Sequence, residues 1–390
     1  MTAVKRIALL GATGSIGKST VDVVLRHRER LRITCVAGYR NAAELAATAK
    51  LCGATLAVIA QASAYRDLQR ELSGSGIEAR SGDDEVAALC SREDVDIVLN
   101  ALVGAAGVKP TLTALDCRKP VALANKETLV CAGALVMARA KAQGTPILPV
   151  DSEHSALFQA LVGETRSQVK RLLLTASGGP FRDLPLDDFA KITPESALQH
   201  PTWKMGPKVT IDSSTLVNKG LELIEAKWLF DAEPNELDVV IHPQSIVHSL
   251  VEYCDGSMKA QLSNPDMKLP IQYALSYPER WQSEWVPNDL SAIGTLTFQE
   301  VDREKFPAVG LALQAMAGSS GMAAVFNAAD EVAVPAFLQR EIGYRAIPRL
   351  IETALDEFDG ATISNVAELF ELDREVREWS KGFLPIFRSE

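Results

Sequence analysis

The chain has 390 residues, 47% of them hydrophobic and 23% charged, with a formal net charge of −10. This composition suits a globular protein of roughly two to three domains; the acid excess argues against a nucleic-acid coat but allows local anion pockets, and no run approaches the ~18 apolar residues of a membrane span. The six cysteines (35, 52, 90, 117, 131 and 254) form no C-x-x-C pair and sit in mostly apolar runs, so free thiols are expected rather than disulfides or a zinc knuckle.

The start, MTAVKRIALLGATGSIG, enters a strand at once, with no h-region and no Arg/Ser-rich transit segment, and a cytoplasmic enzyme is expected. VKRIALLGATGSIGKSTVDVVLRH reads strand, glycine turn, helix. Gly11, Gly14 and Gly17 form G-x-x-G-x-x-G, which lets backbone N–H groups approach a pyrophosphate at a helix N-terminus. A triphosphate loop is excluded by spacing, because it needs glycine where Ala12 stands. The second strand, LRITCVAGY, lacks the terminal acid that holds the ribose hydroxyls of NAD. It offers Arg40 and Asn41 instead, which suits the extra phosphate of NADP.

TLAVIA, VDIVLNAL, PVALA and PILPV continue as strands, alternating with helical AAELAATAKLC, DEVAALCS and KETLVCAGALVMARAKAQ. Alternation of this kind predicts a parallel, doubly wound sheet over residues 1–150, a Rossmann-like dinucleotide domain in an α/β protein. Strand ends line the ligand crevice of such sheets. Two polar clusters fall there: Asn125-Lys126-Glu127, which by itself reads as helix capping, and VDSEHS after ILPV. Asp151, Ser152 and Glu153 serve equally as a helix start or as part of a metal or acid–base site.

Residues 151–285 read as an α+β catalytic domain. Ser177-Gly178-Gly179 at a strand end forms either an anion nest or a plain turn. LQHPTWKMGPK, 198–208, sets His200, Trp203 and Met205 between prolines and glycine, as a mobile lid or as a loop pinned by Trp203. DSSTLVNKGLELIEAKWLF opens with N-cap residues and continues as a helix with Asn218, Lys219, Glu222 and Glu225 on one stripe. Gly220 costs such a helix about 1 kcal/mol, so a ligand or a neighbouring backbone should need it there. In ELDVVIHPQSIVHSLVEYCDGSMKAQLS, Asp255-Gly256 is a tight turn. His242 and His248 would share one face of a continuous strand, most simply as buried, hydrogen-bonded histidines. Residues 286–311 read as a linker and 312–390 as a C-terminal helical domain, where Asn327, Asp330 and Glu331 are placed to contact the linker or a neighbour.

In order, GATGSIG, ALANKETLV, PVDSEHSA, TASGGPF, HPTWKMG, DSSTLVNKGLE, IHPQSIVHS and NPDMKLPI closely resemble the 1-deoxy-D-xylulose 5-phosphate reductoisomerase family. The resemblance implies reduction and rearrangement of that sugar phosphate with NADPH and a divalent metal (Mg²⁺, Mn²⁺ or Co²⁺), in a homodimer without nucleic-acid or membrane partners. It implies Asp151, Glu153 and Glu222 as metal ligands, and Lys126, Glu153 and His200 as catalytic residues. Ser152, Lys126, Ser177, His200, Trp203, Ser213, Asn218, Lys219 and His248 are implied to bind substrate, with Ser245 beside them and Met205 in the lid. Thr13, Gly14, Ser15, Ile16, Gly38, Arg40, Asn41, Asn125, Glu127 and Gly206 are implied as NADPH contacts. Many relatives carry glycine where this chain has Tyr39, so the 2′-phosphate contact stays open among Tyr39, Arg40 and Asn41. A metal-free dehydrogenase and a non-catalytic NADP sensor are the alternatives.

Overall fold

The computed structural model describes residues 4–203, 205–283, 285 and 289–387. Seven parallel strands, β1 (Lys5–Leu10), β2 (Leu31–Gly38), β3 (Leu56–Ile59), β4 (Glu78–Ser81), β5 (Ile97–Asn100), β6 (Val121–Leu123) and β7 (Ile147–Pro149), form a first sheet in the order β4-β3-β2-β1-β5-β6-β7. Helices α1 (Ser15–Arg26), α2 (Ala42–Cys52), α3 (Tyr65–Glu71), α4 (Asp83–Ala88), α5 (Val108–Asp116) and α6 (Glu127–Gln143) connect them, and α7 (Ser152–Ala160) follows β7. The central strands carry apolar runs, as a sheet covered on both faces requires: Ile7, Ala8, Leu9 and Leu10 of β1 are all fully buried. Strand order reverses between β1 and β5, which is where an open α/β sheet holds its ligand.

The second sheet, in the order β11-β10-β8-β9-β12, comprises β8 (Val169–Ala176), β9 (Leu237–Ile241), β10 (Val247–Tyr253), β11 (Met258–Leu262) and β12 (Gln299–Glu300). Only β8 and β9 pair in parallel; the other neighbours are antiparallel. The remaining helices are α8 (Pro194–Ala197), α9 (Pro207–Thr215), α10 (Val217–Phe230), α11 (Lys268–Ser276), α12 (Leu290–Ile293), α13 (Ala308–Ala317), α14 (Met322–Leu338), α15 (Ala346–Glu357) and α16 (Val366–Phe383).

Contacts divide the chain into two compact units, and the divisions differ from those read along the sequence. The first unit takes the chain to Thr128, then Val136–Ser155 and Asp266–Trp285; the second takes Leu129–Leu135, Ala156–Pro265 and the chain beyond the 280s. Asp266–Trp285 thus packs with the dinucleotide sheet rather than with the catalytic region. Lys5 Nζ donates to the Leu275 carbonyl at 2.6 Å, and the buried His27 ring meets Gln272 Oε1 at 3.0 Å. The expected linker, whose residues 286–288 lie outside the described residues, carries α12 and β12, and α13 already begins at Ala308. The C-terminal helices share a unit with α10.

Two local readings also change. β4 is an additional edge strand, EARS, too polar and short to signal itself. His242 and His248 do not share a strand: β9 ends at Ile241, Ser245 turns the chain at φ 52°, and β8 lies between β9 and β10. Gly256, at φ 84°, makes the expected turn between β10 and β11.

Candidate active site

In the first unit, β1 runs into the glycine turn and α1. Gly11 takes φ 81° with its Cα against the Ala101 backbone at the end of β5. A Cβ on Gly17 would sit 2.6 Å from the carbonyl carbon and oxygen of Ala12. Both glycines are therefore required by close backbone approach. α1 starts after Gly14 with no side-chain cap and no acid in its first turn, so the first N–H groups of the helix, at Ser15 and Ile16, suit an anion, while the Gly14 N–H is donated to the Gly11 carbonyl at 3.1 Å and closes the turn. Gly14 and Ser15 are exposed.

At the end of β2, Gly38 is buried against Leu45 and Thr13, whereas Tyr39 is 65% exposed and Arg40 is also exposed. Asn41 has a different job from the one expected of a phosphate ligand. Its side chain caps α2, accepting from Glu44 N at 3.2 Å and donating to Glu44 Oε2 at 2.9 Å. Among the described residues at this strand end, the cation without an ion pair is Arg40.

Asn125 and Glu127 are buried and serve the loop after β5. Asn125 Nδ2 donates to the carbonyls of Leu102 and Gly104 at 3.0 and 3.1 Å and to Glu127 Oε2 at 2.6 Å, while Thr128 Oγ1 donates to Asn125 Oδ1. This network holds the β5 loop against the start of α6, where the sequence alone suggested capping. Lys126 points elsewhere and pairs with Asp151 Oδ2 at 2.5 Å. Asp151 ends the β7 segment, and its carbonyl accepts the Ser155 N–H at 2.8 Å, so it starts α7 while its carboxylate remains engaged with a lysine. Ser152 Oγ donates to Glu153 Oε2 at 2.6 Å. One turn therefore carries two carboxylates and a hydroxyl, flanked by a cation. Helix start and chemical cluster coexist.

In the second unit, Gly178 and Gly179, at φ 81° and 65°, turn the chain after β8. A Cβ on Gly179 would be 3.0 Å from Ser214 Cα and 3.1 Å from the Ser213 carbonyl oxygen. The glycines thus let the Ser177 turn lie against the end of α9, where Ser213 sits. Leu216, buried and left-handed at φ 58°, then redirects the chain into α10. On α10, Asn218 Nδ2 and Lys219 Nζ both donate to the Glu222 carboxylate, and Lys219 and Glu222 are almost fully buried. The stripe is thus a buried polar cluster and not a solvated helix face. Gly220 is explained by a neighbouring backbone: a Cβ there would meet Ala312 Cβ at 3.0 Å, with the Ala308 carbonyl oxygen and Phe326 ring at 3.2 Å. It allows α10 to pack closely on α13 and α14.

The described residues among 198–206, which exclude Lys204, form no regular element between α8 and α9. His200 Nδ1 accepts from Thr202 N at 3.1 Å and Trp203 N at 2.9 Å, so its proton resides on Nε2, 3.1 Å from Ser177 Oγ. Burial keeps His200 below its ordinary pKa, favouring this neutral form. Ser177 Oγ also accepts from Gly179 N at 3.2 Å. With two donors aimed at that oxygen, its own proton is left for an anion. The Trp203 ring lies 6.2 Å from His248, which is buried, bonded through Nε2 to the Ser263 carbonyl at 3.1 Å, and pushed down to about 4 by burial. Lys219 adds to that depression. Met205 is half-buried, and Gly206 is exposed and precedes α9. His242 belongs to the framework: it faces the Thr297 carbonyl at 2.9 Å, accepts from Ile246 N at 3.2 Å and stacks on Phe298.

Sequence reasoning missed Tyr344, whose buried hydroxyl donates to the Ser214 carbonyl at 2.6 Å within a cluster of Phe181, Phe189 and Phe337. Nothing in GYRAIP marks that residue as a support for α9.

A doubly wound sheet with an uncapped glycine turn, in a chain whose second unit buries the Asn218, Lys219 and Glu222 cluster, fits a class: a dinucleotide-dependent enzyme. Family models resolve it further. The model described as 1-deoxy-D-xylulose 5-phosphate reductoisomerase matches residues 7–133, and two models of the C-terminal domains of that enzyme match 147–230 and 262–379. The chain is 46% identical over 378 residues to the 1-deoxy-D-xylulose 5-phosphate reductoisomerase of Laribacter hongkongensis (strain HLHK9), covering 96% of this chain and 97% of that one. It is 47% identical over 391 residues to the Pseudomonas putida (strain W619) enzyme, covering 98% and 99%. Among solved structures it resembles the Zymomonas mobilis reductoisomerase in complex with NADPH (TM-score 0.91, 42% identity, 98% and 99% covered). It also resembles a DOX-P reductoisomerase in complex with NADPH, fosmidomycin and magnesium (TM-score 0.92, 39% identity, 98% of each covered). The chain belongs to the 1-deoxy-D-xylulose 5-phosphate reductoisomerase family. No helix among the described residues is long and apolar enough to cross a membrane.

Proposed function

We infer that the chain catalyses the NADPH- and divalent-metal-dependent rearrangement and reduction of 1-deoxy-D-xylulose 5-phosphate to 2-C-methyl-D-erythritol 4-phosphate, a step of non-mevalonate isoprenoid precursor synthesis. The observation that carries the reading lies on α10: Lys219 and Asn218, donors suited to a phosphate, share one turn with Glu222, an oxygen ligand suited to a hard cation.

NADPH has residues that fit it. The turn at Thr13, Gly14, Ser15 and Ile16 takes the pyrophosphate, and Gly38 closes the β2 end. Arg40 takes the 2′-phosphate, with the Tyr39 ring beside it and Asn41 setting the start of α2. Asn125 and Glu127 shape the nicotinamide side through the loop they hold, and Gly206 adds a backbone group from the lid. Asp151, Glu153 and Glu222 hold the metal; an all-carboxylate set suits Mg²⁺, with Mn²⁺ or Co²⁺ also fitting. When bound, the ion polarises the substrate carbonyl and makes its neighbouring hydroxyl more acidic.

The chain's own residues do the rest. Ser177, Ser213, Asn218 and Lys219 grip the phosphate, remote from the reacting carbons, so its binding energy positions the substrate. Lys126 and Ser152 orient the sugar hydroxyls, with Glu153 beside them. His200 fixes Ser177 by its Nε2–H, and Trp203 and Met205 exclude water once the lid is down. His248, neutral beside Lys219, backs Trp203, and Ser245 supports that turn. We propose that the enzyme works as a cytoplasmic homodimer, as the resemblance of its motifs implies. The division of labour is a dinucleotide domain over the first part of the chain, to which Asp266–Trp285 adds, a catalytic region with its lid, and a C-terminal helical support.

The test is direct. Purified protein given the sugar phosphate, NADPH and Mg²⁺ should consume one NADPH per product, with the branched-chain polyol phosphate identified by mass and NMR. NADPH consumption without that product would leave only the dehydrogenase alternative.

A further inference from the structure

The lid is a loop, yet the helices at both of its ends are tied to α14. On the C-terminal side, Lys208, the second residue of α9, donates from Nζ to Asp212 Oδ2 at 2.6 Å and to Asp330 Oδ2 at 2.5 Å. Asp330 lies in the middle of α14 and is fully buried, and Lys208 is mostly so. On the N-terminal side, Glu195 of α8 pairs with Arg340, just beyond the end of α14, at 2.6 Å. Tyr344 adds a third tie, its hydroxyl donating to the carbonyl of Ser214 in α9. A charged residue in the apolar run MAAVFNAADEVAVPAFL has no packing reason to be there. Burying it costs several kcal/mol unless it is paired. Its partner is the residue where the lid re-enters regular structure.

The geometry points to Asp330 and Lys208 as positioning residues for the lid: α14 is a strut that fixes both lid stems, so that His200 and Trp203 reach Ser177 and His248 from a set starting point. This rests on the function proposed above only for the identity of what the lid covers. The tie itself is read from α9 and α14.

The groups facing Asp330 explain why one member of the triad matters more than the others. Asp212 sits one turn from Lys208 on the same helix and keeps its pairing if Asp330 is removed. The link between helices is then lost while the local i,i+4 pair survives. Arg377, bonded to Glu331 and Asp373, bears on Asp330 from α16. Burial raises the pKa of Asp330 against the pull of Lys208; what Asp330→Asn retains is a side-chain oxygen that can accept from Lys208 Nζ.

Asp330→Ala and Asp330→Asn, each loaded with NADPH and Mg²⁺, provide the test, read by hydrogen–deuterium exchange and by steady-state kinetics. Asp330→Ala is expected to speed exchange in peptides covering 198–206, with α10 and the first sheet unchanged. It is also expected to raise KM for the sugar phosphate by about tenfold, as a tenfold smaller closed fraction requires. NADPH binding and kcat at saturating substrate should stay within about threefold, because the deficit lies in the lid's starting position and substrate in excess refills it. Asp330→Asn, which still accepts from Lys208, should restore both. Equal protection at 198–206 in all three proteins overturns the proposal, as does exchange rising as much in α10 and α14 as in the lid, which is plain destabilisation. If Asp330→Ala fails to fold, Arg340→Ala serves, being on the surface: faster exchange confined to 195–203 supports the strut, and unchanged exchange there refutes it. Because exchange is read without turnover, an inactive wild-type protein would fault the proposed function and leave the strut to be judged separately.

Discussion

Replacing Gly17 by Ala adds one carbon where the backbone leaves no room. The new Cβ would lie 2.6 Å from the Ala12 carbonyl carbon and oxygen, and nearer still to the Gly11 oxygen, against an ordinary contact of at least 3.4 Å. No flexible side chain can yield, so α1 must withdraw from the turn by about 1 Å, the Gly11 oxygen setting the distance. A shift of that size breaks the alignment of the N–H groups proposed to hold the pyrophosphate. Losing one hydrogen bond to a charged group costs roughly 1.5–3 kcal/mol, which is about a ten- to hundredfold rise in the NADPH Kd. Nicotinamide fluorescence titration reads this directly, and binding of the sugar phosphate analogue to the second unit should hold. Gly14→Ala is the contrast, since its Cβ would meet nothing closer than 3.4 Å within the protein. That substitution leaves the apo fold and its stability as they are. An NADPH Kd for Gly17→Ala within twofold of wild type would refute the reasoning, because the turn would then not be set by close backbone approach.

Arg40→Ala should lower the preference for NADPH over NADH by at least tenfold with little change for NADH, since only the 2′-phosphate is lost; an unchanged ratio of kcat/KM values removes Arg40 from that role. Lys219→Ala should raise KM for the phosphorylated substrate by about a hundredfold, through loss of a buried cation facing a phosphate; an unchanged KM excludes it from the pocket. His248 supplies a pH dependence. Its folded pKa, about 4 against an ordinary 6.5, means the unfolded chain takes the proton first as pH falls. The stability of wild type relative to His248→Gln is therefore fully present above about pH 6.5 and is lost as pH falls toward about 4, by about 3 kcal/mol. Urea midpoints of the two proteins at pH 7.5 and 4.5 measure it, and a constant gap between them would contradict the burial argument.

The doubly wound sheet was legible because its strands are continuous apolar runs separated by helical periods, and both its glycine turn and the carboxylates of VDSEHS fall at strand ends. β4 was not legible: an edge strand half-open to solvent needs no apolar run, and EARS has none. IHPQSIVHS misleads because even spacing of two histidines mimics one strand face, whereas the left-handed Ser245 breaks the chain between them. The need for Gly220 could be read from its helix cost, but not its partners Ala308, Ala312 and Phe326, which arrive from helices some ninety to a hundred residues on. Asn41 shows the reverse case, where a side chain with the right chemistry for a phosphate satisfies its own helix first. Domain membership of Asp266–Trp285 is a tertiary fact, set by what α11 packs against, and no composition shift marks it.

Asp151, Glu153 and Glu222 are proposed to hold the metal on which substrate-dependent NADPH oxidation depends. Titrating free Mg²⁺ against the rate of substrate-dependent NADPH oxidation, for wild type and Glu222→Gln, tests it most directly. Saturable activation of wild type, silence in chelator, and a variant that binds NADPH normally yet turns over at under about 1% of the wild-type rate are the expected result. Full wild-type activity in excess chelator, or a variant within a few-fold of wild type at low metal, would contradict it.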